Sequence, residues 1–128
     1  MARQIDLELD LRCRFPAAFH SSTHFRFDCG EGWLAIVETL CSLLSHANQC
    51  IEHAPTYLVG TVEKMGTLRI LVAGRDTRAI EWIMFAEQHA ARTCEICGGN
   101  GRLLYIDGWQ RVRCQHHAQT TRPFEAAE

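Results

Sequence analysis

The chain has 128 residues, a length that fits one domain or one domain with a small appended module. Hydrophobic residues make up 47% of it, enough for a core, and the net charge of −2 argues against a uniformly basic nucleic-acid-binding protein. No apolar run approaches the roughly 20 residues that cross a bilayer, and the first residues lack the apolar segment of a signal peptide. We therefore expect a soluble, cytoplasmic protein without a membrane partner.

Two stretches near the start alternate apolar and polar side chains. In residues 1–14, one isoleucine and three leucines alternate with acidic residues, and this period of two indicates an edge strand or an extended arm. Residues 24–29 repeat the alternation and predict a short strand.

Two amphipathic helices and a hairpin are predicted in the middle of the chain. Apolar residues recur every three or four positions over 31–50, where Trp33 is expected to be a packing anchor, and again over 77–92. Between them, residues 57–63 and 67–73 flank a turn that ends in glycine, as a hairpin requires. The second strand is nearly continuous in apolar residues, which favours a central place in its sheet.

Four residues near the end form the strongest motif of the sequence. Cys94 and Cys97, then Cys114 and His117, follow the spacing C-x2-C-x16-C-x2-H. Two such pairs, brought together by a returning hairpin, supply the tetrahedral sulfur and nitrogen ligands of a structural Zn2+ site. His116 is the rival for the fourth position, although the spacing favours His117. The glycine-rich run 98–101 after the first pair predicts the tight turn of a zinc knuckle.

This ligand set argues against catalysis. A catalytic zinc keeps one coordination position open, whereas four protein ligands close the site. The sequence also lacks the H-E-x-x-H motif of metalloproteases and the H-x-E and P-C-x-x-C motifs of zinc deaminases. No catalytic residues are therefore assigned, and we expect a protein that is not an enzyme.

Four cysteines lie outside the motif. Their scattered positions and the odd total of seven argue against a disulfide framework. We expect these four to be reduced, partly buried thiols. The alternative is a second metal site in which Cys29, Cys41 or Cys50 combines with His46 or His53. These four are Cys13, Cys29, Cys41 and Cys50.

The segment around the motif is basic and carries two aromatic residues. Residues 92–122 have a net charge of +3, within a hairpin pattern of 103–106 and 109–113 around an Asp-Gly turn. The favoured interpretation is a solvated strand face with aromatic rings packed on the second helix. The alternative is a face that contacts nucleic acid or a protein partner. The residues concerned are Arg102, Tyr105, Trp109, Arg111 and Arg113.

Over about residues 13–118, the order and spacing of seven short motifs resemble a family of small, largely uncharacterised proteins of phages and prophages. The chain differs from that pattern at Met65, where an aromatic residue is typical, and at the extra His116. The resemblance implies a zinc-ribbon-like C-terminal end and a phage origin, hence the cytoplasm of a host cell. The matching stretches are 25–33, 40–41, 63–69, 86–87, 93–98, 108–109 and 114–118.

Together these patterns predict an α+β fold, in which two amphipathic helices pack on a small antiparallel sheet and a zinc-ribbon-like hairpin follows. The expected division is a core domain over 1–92, a zinc-binding hairpin over 93–118 and a tail over 119–128. Small phage proteins of this build include anti-CRISPR inhibitors, so the first functional hypothesis is a zinc protein that binds and modulates a host or defence protein. The alternative is a nucleic-acid-binding zinc-ribbon module.

Overall fold

The computed structural model describes residues 2–50, 52, 54–74 and 76–120. Within them the fold is α+β, with four α-helices, one three-stranded sheet and one two-stranded sheet, which confirms the predicted class. In chain order the elements are α1 Ala2–Arg14, β1 Arg26–Asp28, α2 Leu34–Asn48, β2 Tyr57–Lys64, β3 Thr67–Ala73, α3 Thr77–Ala90, β4 Arg102–Ile106, β5 Trp109–Arg113 and α4 Gln115–Thr120.

The first segment is a helix, so the prediction of a strand or extended arm over 1–14 is wrong. The decisive spacing is four residues: Leu7 and Leu11 lie one turn apart and pack into the core, while Leu9 is 56% exposed. The buried carboxylate of Glu8 accepts a hydrogen bond of 2.8 Å from the backbone N–H of Phe27. Helix α1 is thereby fixed to β1 as well as to the core.

The three-stranded sheet has the order β1-β2-β3. Strand β2 pairs antiparallel with β3, as the hairpin pattern predicts, and the turn residues Met65 and Gly66 both have positive φ. Strand β1 pairs parallel with the other edge of β2, so the sheet is mixed and β2 is its central strand. The prediction that β3 is central is wrong; on β3, the N–H of Ile70 donates instead to the carboxylate of Glu87 on α3.

Helices α2 and α3 pack together beside this sheet, and α2 carries the larger side chains of the core. Trp33, at the end of a 3-10 turn that leads into α2, is fully buried and is the predicted packing anchor. Leu40 and Leu44 extend the same buried face along α2. Helix α3 contributes mainly alanines, which allows the two helices to approach closely. No helix in the described residues is long and apolar enough to cross a membrane.

The second sheet is the predicted hairpin of β4 and β5, with Asp107 and Gly108 at positive φ in its turn. Val112 of β5 is 1% exposed and belongs to the main core, so the hairpin is packed on the rest of the fold. Helix α4 follows β5 and is an element that the sequence did not predict. Residues 119 and 120 of the predicted tail belong to α4, and the remainder of that tail lies outside the described residues. The predicted domain boundaries stay predictions.

Candidate metal centre

The first ligand pair lies on a tight turn that directly follows α3. The N–H of Cys94 donates to the carbonyl of Gly99 at 2.7 Å, and the N–H of Gly98 donates to the carbonyl of Cys94 at 2.9 Å. Gly98 has φ +83, a conformation that side chains disfavour, and the Gly99 N–H lies 3.4 Å from the sulfur of Cys97. The glycine-rich run therefore forms the predicted knuckle and directs a backbone donor at a ligand sulfur.

The second ligand pair spans the junction of β5 and α4. Cys114 follows the last residue of β5, and the N–H of Ala118 donates to its carbonyl at 2.8 Å, which closes the first turn of the helix. The N–H of His117 lies 3.4 Å from the Cys114 sulfur. The short helix is thus the local structure that turns the His117 ring back toward Cys114.

The four ligand atoms converge on one point, and all lie within 4.8 Å of one another. The sulfurs of Cys97 and Cys114 are 3.7 Å apart, and Nδ1 of His117 lies 3.2 Å from the Cys114 sulfur. A tetrahedral ion with metal–sulfur bonds of about 2.3 Å separates its ligands by roughly 3.8 Å. The cluster therefore has the dimensions that one tetrahedral metal ion requires.

The ring that joins the cluster is that of His117, as the spacing favoured. The exposed His116 is not among the clustered residues, and its ring packs edge-on against His117 with a centroid distance of 5.0 Å. Along a short helix, neighbouring side chains point about 100° apart, so only one of the two rings can face the sulfurs.

The surroundings of the sulfurs favour the thiolate form of Cys94 and oppose that of Cys97. Burial raises the pKa of the Cys94 thiol, but backbone N–H groups, first those of Cys97 and Cys114, hold the pKa below its ordinary value. At Cys97 the Gly99 N–H lowers the pKa, while desolvation and the neighbouring sulfurs raise it above its ordinary value. A divalent cation removes this repulsion between sulfurs, because it stabilises all three thiolates together.

The knuckle is fixed to the start of α2 through backbone contacts. The N–H of Gly32 donates to the carbonyl of Glu95 at 2.8 Å, and the indole N–H of Trp33 donates to the carbonyl of Thr93 at 2.8 Å. A Cβ at Gly32 would overlap the carbonyl oxygen of Cys94, so this close approach requires glycine. Sequence reasoning identified Trp33 as an anchor but missed this contact, for which the Gly-Glu-Gly run before Trp33 was the available signal.

Two of the predicted contact residues form internal ion pairs. The guanidinium of Arg113 donates to the carboxylate of Glu95 at 3.2 Å, and both side chains are close to nine-tenths buried. Arg111 lies 3.6 Å from the carboxylate of Glu63 and 4.0 Å from that of Glu95. These pairs connect the hairpin to the knuckle and to β2, so part of the positive charge counted in the sequence is neutralised within the fold.

The other predicted contact residues are open to solvent. Tyr105 is 72% exposed, Trp109 is 65% exposed, and Arg102 is exposed at the start of β4. The expectation that the aromatic rings pack on the second helix is therefore wrong. Tyr105 is paired with Gln110 and Trp109 with Ile106, so the two exposed rings lie on opposite faces of the hairpin. The guanidinium of Arg111 lies 5.9 Å from the centre of the Trp109 ring and provides a cationic neighbour for it.

Outside the cluster, the cysteines of the described residues form no second group of possible metal ligands, and His53 lies outside those residues. Burial raises the pKa of Cys41 to about 12 and, against a hydrogen bond with Thr61, raises that of Cys29 to about 11. Both thiols are thus protonated at neutral pH, as expected for reduced, buried cysteines. Cys13 and Cys50 are exposed, unlike the partly buried thiols that the sequence predicted.

A groove that the sequence did not predict runs between α2 and α3, with a volume of about 300 Å³. Thr39 and Leu43 on α2 face Trp82 and Phe85 on α3, and the lining contains no Asp, Glu, Lys or Arg. Phe85 is 73% exposed, and its ring stacks on His89 at 6.0 Å.

No known protein family, curated protein or solved structure matches this chain in the comparisons of sequence and fold. The functional interpretation therefore rests on the site and the surfaces described above.

Proposed function

We propose that this protein is a non-enzymatic zinc-binding protein of phage type that binds and modulates a host or defence protein, as anti-CRISPR inhibitors do. Zinc is the metal that best suits three thiolates and one imidazole in a tetrahedral arrangement. The clustering of Cys94, Cys97, Cys114 and His117 supports this assignment. The metal would hold the knuckle, the hairpin and α4 together.

A structural rather than a catalytic role follows from the number of ligands. Four protein ligands complete the coordination of zinc and leave no position for water or substrate. Cys94 is fully buried, and the contacts around the cluster come from the backbone of the knuckle and of α4. The metal would therefore contribute to the free energy of folding, and function would lie on the surfaces that it supports.

The observation that carries the partner assignment is the uncharged groove between α2 and α3. Exposed apolar grooves are common at protein interaction sites, and aromatic residues often dominate the binding energy of such sites. Phe85 lines the groove from α3 and is 73% exposed. An apolar groove without charged walls favours the apolar side chains of a protein over a nucleic acid.

The test is a comparison of two variants that each remove one exposed apolar side chain. Phe85→Ser changes the groove, and Met65→Ser changes the β2–β3 turn, where Met65 is 67% exposed. A partner captured from a bacterial lysate would be purified and its affinity measured by calorimetry. We expect Phe85→Ser to weaken binding by about 2 kcal/mol or more and Met65→Ser to have little effect. Equal affinity of both variants would exclude the groove as the binding surface.

The second candidate is a nucleic-acid-binding module, which the exposure of Tyr105 and Trp109 specifically favours. Aromatic rings open to solvent can stack on unpaired bases, each contributing roughly 1–3 kcal/mol. The test is a gel shift with single-stranded DNA and RNA across a salt series, combined with Trp109→Ala. Affinity that falls with salt and with loss of the ring supports this candidate, and no binding at low salt excludes it.

A further inference from the structure

A polar cleft of about 600 Å³ lies beside the metal centre, between the glycine-rich turn and the base of the β4–β5 hairpin. Its lining includes two arginines and two side-chain amides, together with the candidate metal ligand Cys114, and no carboxylate. Asn100 and Arg102 lie just before and at the start of β4, and Arg113 and Gln115 lie at the end of β5 and the start of α4; Arg102 and Arg113 are paired directly across the two strands. Such a set of donors is suited to an anion and unsuited to a cation.

Arg113 is the least accessible of these donors and is only partly satisfied. One terminal nitrogen donates to Glu95, but Nε and the other terminal nitrogen are buried and have no partner among the described residues. Leaving buried N–H donors unpaired costs free energy, so a group that accepts from them is favoured at this position. Arg102 on the opposite strand is exposed and likewise has no partner in the described part of the chain.

A second polar cleft, of about 500 Å³, adjoins the first around the glycine-rich turn. The two clefts share Asn100 and Gly101, and the second is lined by His89 and Arg92 as well. Arg92 is exposed just beyond the end of α3. The arginines of the two clefts thus form a continuous basic track that can contact more than one anionic group of an extended ligand.

We propose that this track binds phosphate groups, with Arg102 and Arg113 forming the inner site and Arg92 forming the outer one. A guanidinium presents a planar fork of donors that matches two oxygens of a phosphate, and side-chain amides supply further donors. The two sources of such a group are free phosphate and the backbone of a nucleic acid. The proposal is independent of the groove and of the protein partner, and it would give the nucleic-acid candidate its backbone contacts.

The first experiment is a titration of the zinc-loaded, 15N-labelled full chain with inorganic phosphate. We expect shifts of the side-chain signals of Arg113 Nε–H and of the Asn100 and Gln115 amides. Arg102→Gln should lower the affinity for phosphate about tenfold, because it removes one charge-assisted contact. Arg69→Gln, which removes an exposed arginine of β3, is the matched control and should leave it unchanged.

The second experiment separates the two sources. Binding of a fluorescent oligothymidylate is followed by anisotropy across a salt series for the native chain, Arg92→Gln and Arg102→Gln. If the ligand is a nucleic-acid backbone, each substitution should reduce the slope of log affinity against log salt by about 0.7. If inorganic phosphate binds and the oligonucleotide does not, the result would support the inner site with free phosphate as its ligand.

The proposal is overturned if neither probe binds, or if Arg102→Gln and Arg69→Gln behave alike. Zinc content of each variant is measured in parallel, so that loss of the metal centre is distinguished from loss of the anion site. Loss of oligonucleotide binding in Trp109→Ala with phosphate binding intact would support a phosphate site that acts independently of base stacking.

Discussion

The core around α2 and the knuckle that carries the first ligand pair are stabilised by different forces. Around α2, Leu40, Leu44 and Trp33 are buried among apolar side chains, and the hydrophobic effect supplies the stabilisation. At the knuckle, the backbone is held by hydrogen bonds to glycine residues, and three of the four clustered ligands are cysteines whose sulfurs repel one another once they are thiolates. We therefore expect the stability of the helical core to respond less to removal of a metal ion than that of the C-terminal end does.

This difference predicts how each region responds to loss of one side chain. A core substitution lowers the free energy of unfolding of the whole fold but leaves the ligand atoms in place. A ligand substitution should prevent metal binding, and with it remove one of the interactions that hold β4, β5 and α4 to the knuckle, beside the ion pairs of Glu95.

The largest effect is expected from Cys97→Ser, with Cys13→Ser as the matched control. The apparent binding free energy of structural zinc in small peptides is about 10–16 kcal/mol, so loss of one ligand should abolish stoichiometric zinc and lower the melting temperature strongly. Metal content is measured by elemental analysis and melting by calorimetry. Cys13 is exposed and lies outside the cluster, so its variant should keep both properties. An unchanged melting temperature after metal loss would refute the structural role.

A smaller effect is expected from Leu44→Ala. Leu44 is fully buried on α2, and its truncation should reduce the free energy of unfolding by about 2–5 kcal/mol through lost burial and a residual cavity. The measurement is urea denaturation together with elemental analysis. We expect one zinc per chain in this variant at low urea, because its ligands are not in contact with Leu44. Loss of zinc in proportion to stability would show that the two regions are not separable.

Trp33→Phe tests the connection between the two regions. The substitution keeps an aromatic ring in the core but removes the indole N–H that donates to the carbonyl of Thr93. A buried carbonyl without its partner should cost about 1–3 kcal/mol. We expect a faster transfer of zinc to a chromophoric chelator, since Thr93 directly precedes the first ligand. Leu40→Ala is the control, and an equal rate in both variants would exclude a specific effect of the hydrogen bond.

Sequence reasoning succeeded where local chemistry demands particular residues. The ligand pairs, the glycine knuckle and the two hairpin turns each depend on a few neighbouring residues, and the structure brings them together. It failed at α1, because a short alternation of leucine and acidic residues also places Leu7 and Leu11 one helical turn apart. The position of the core decides whether the two-residue spacing of a strand or the four-residue spacing of a helix is the relevant one.

Contacts between distant segments were also beyond the sequence. The pairing of Arg113 with Glu95 depends on how the hairpin returns over the knuckle, and no local pattern specifies it. Helix α2 showed a wide apolar face, but that face does not reveal which of its residues α3 covers. Leu43 remained 39% exposed beside the groove for this reason. Prediction therefore identified the candidate metal ligands better than the surfaces.

The smallest effect concerns the thiol of Cys41, which belongs to the core rather than to the metal centre. Its pKa is raised by burial from the ordinary 9.0 to about 12, so the folded chain retains a proton that the unfolded chain loses above pH 9. Stability from this group is complete below pH 9 and is lost as the pH rises toward 12, by about 1.4 kcal/mol at pH 10. Urea denaturation under reducing conditions from pH 8 to 10.5 measures this loss. Cys41→Ala should show a shallower decline than the native chain over that range, whereas parallel curves would contradict a buried, protonated thiol.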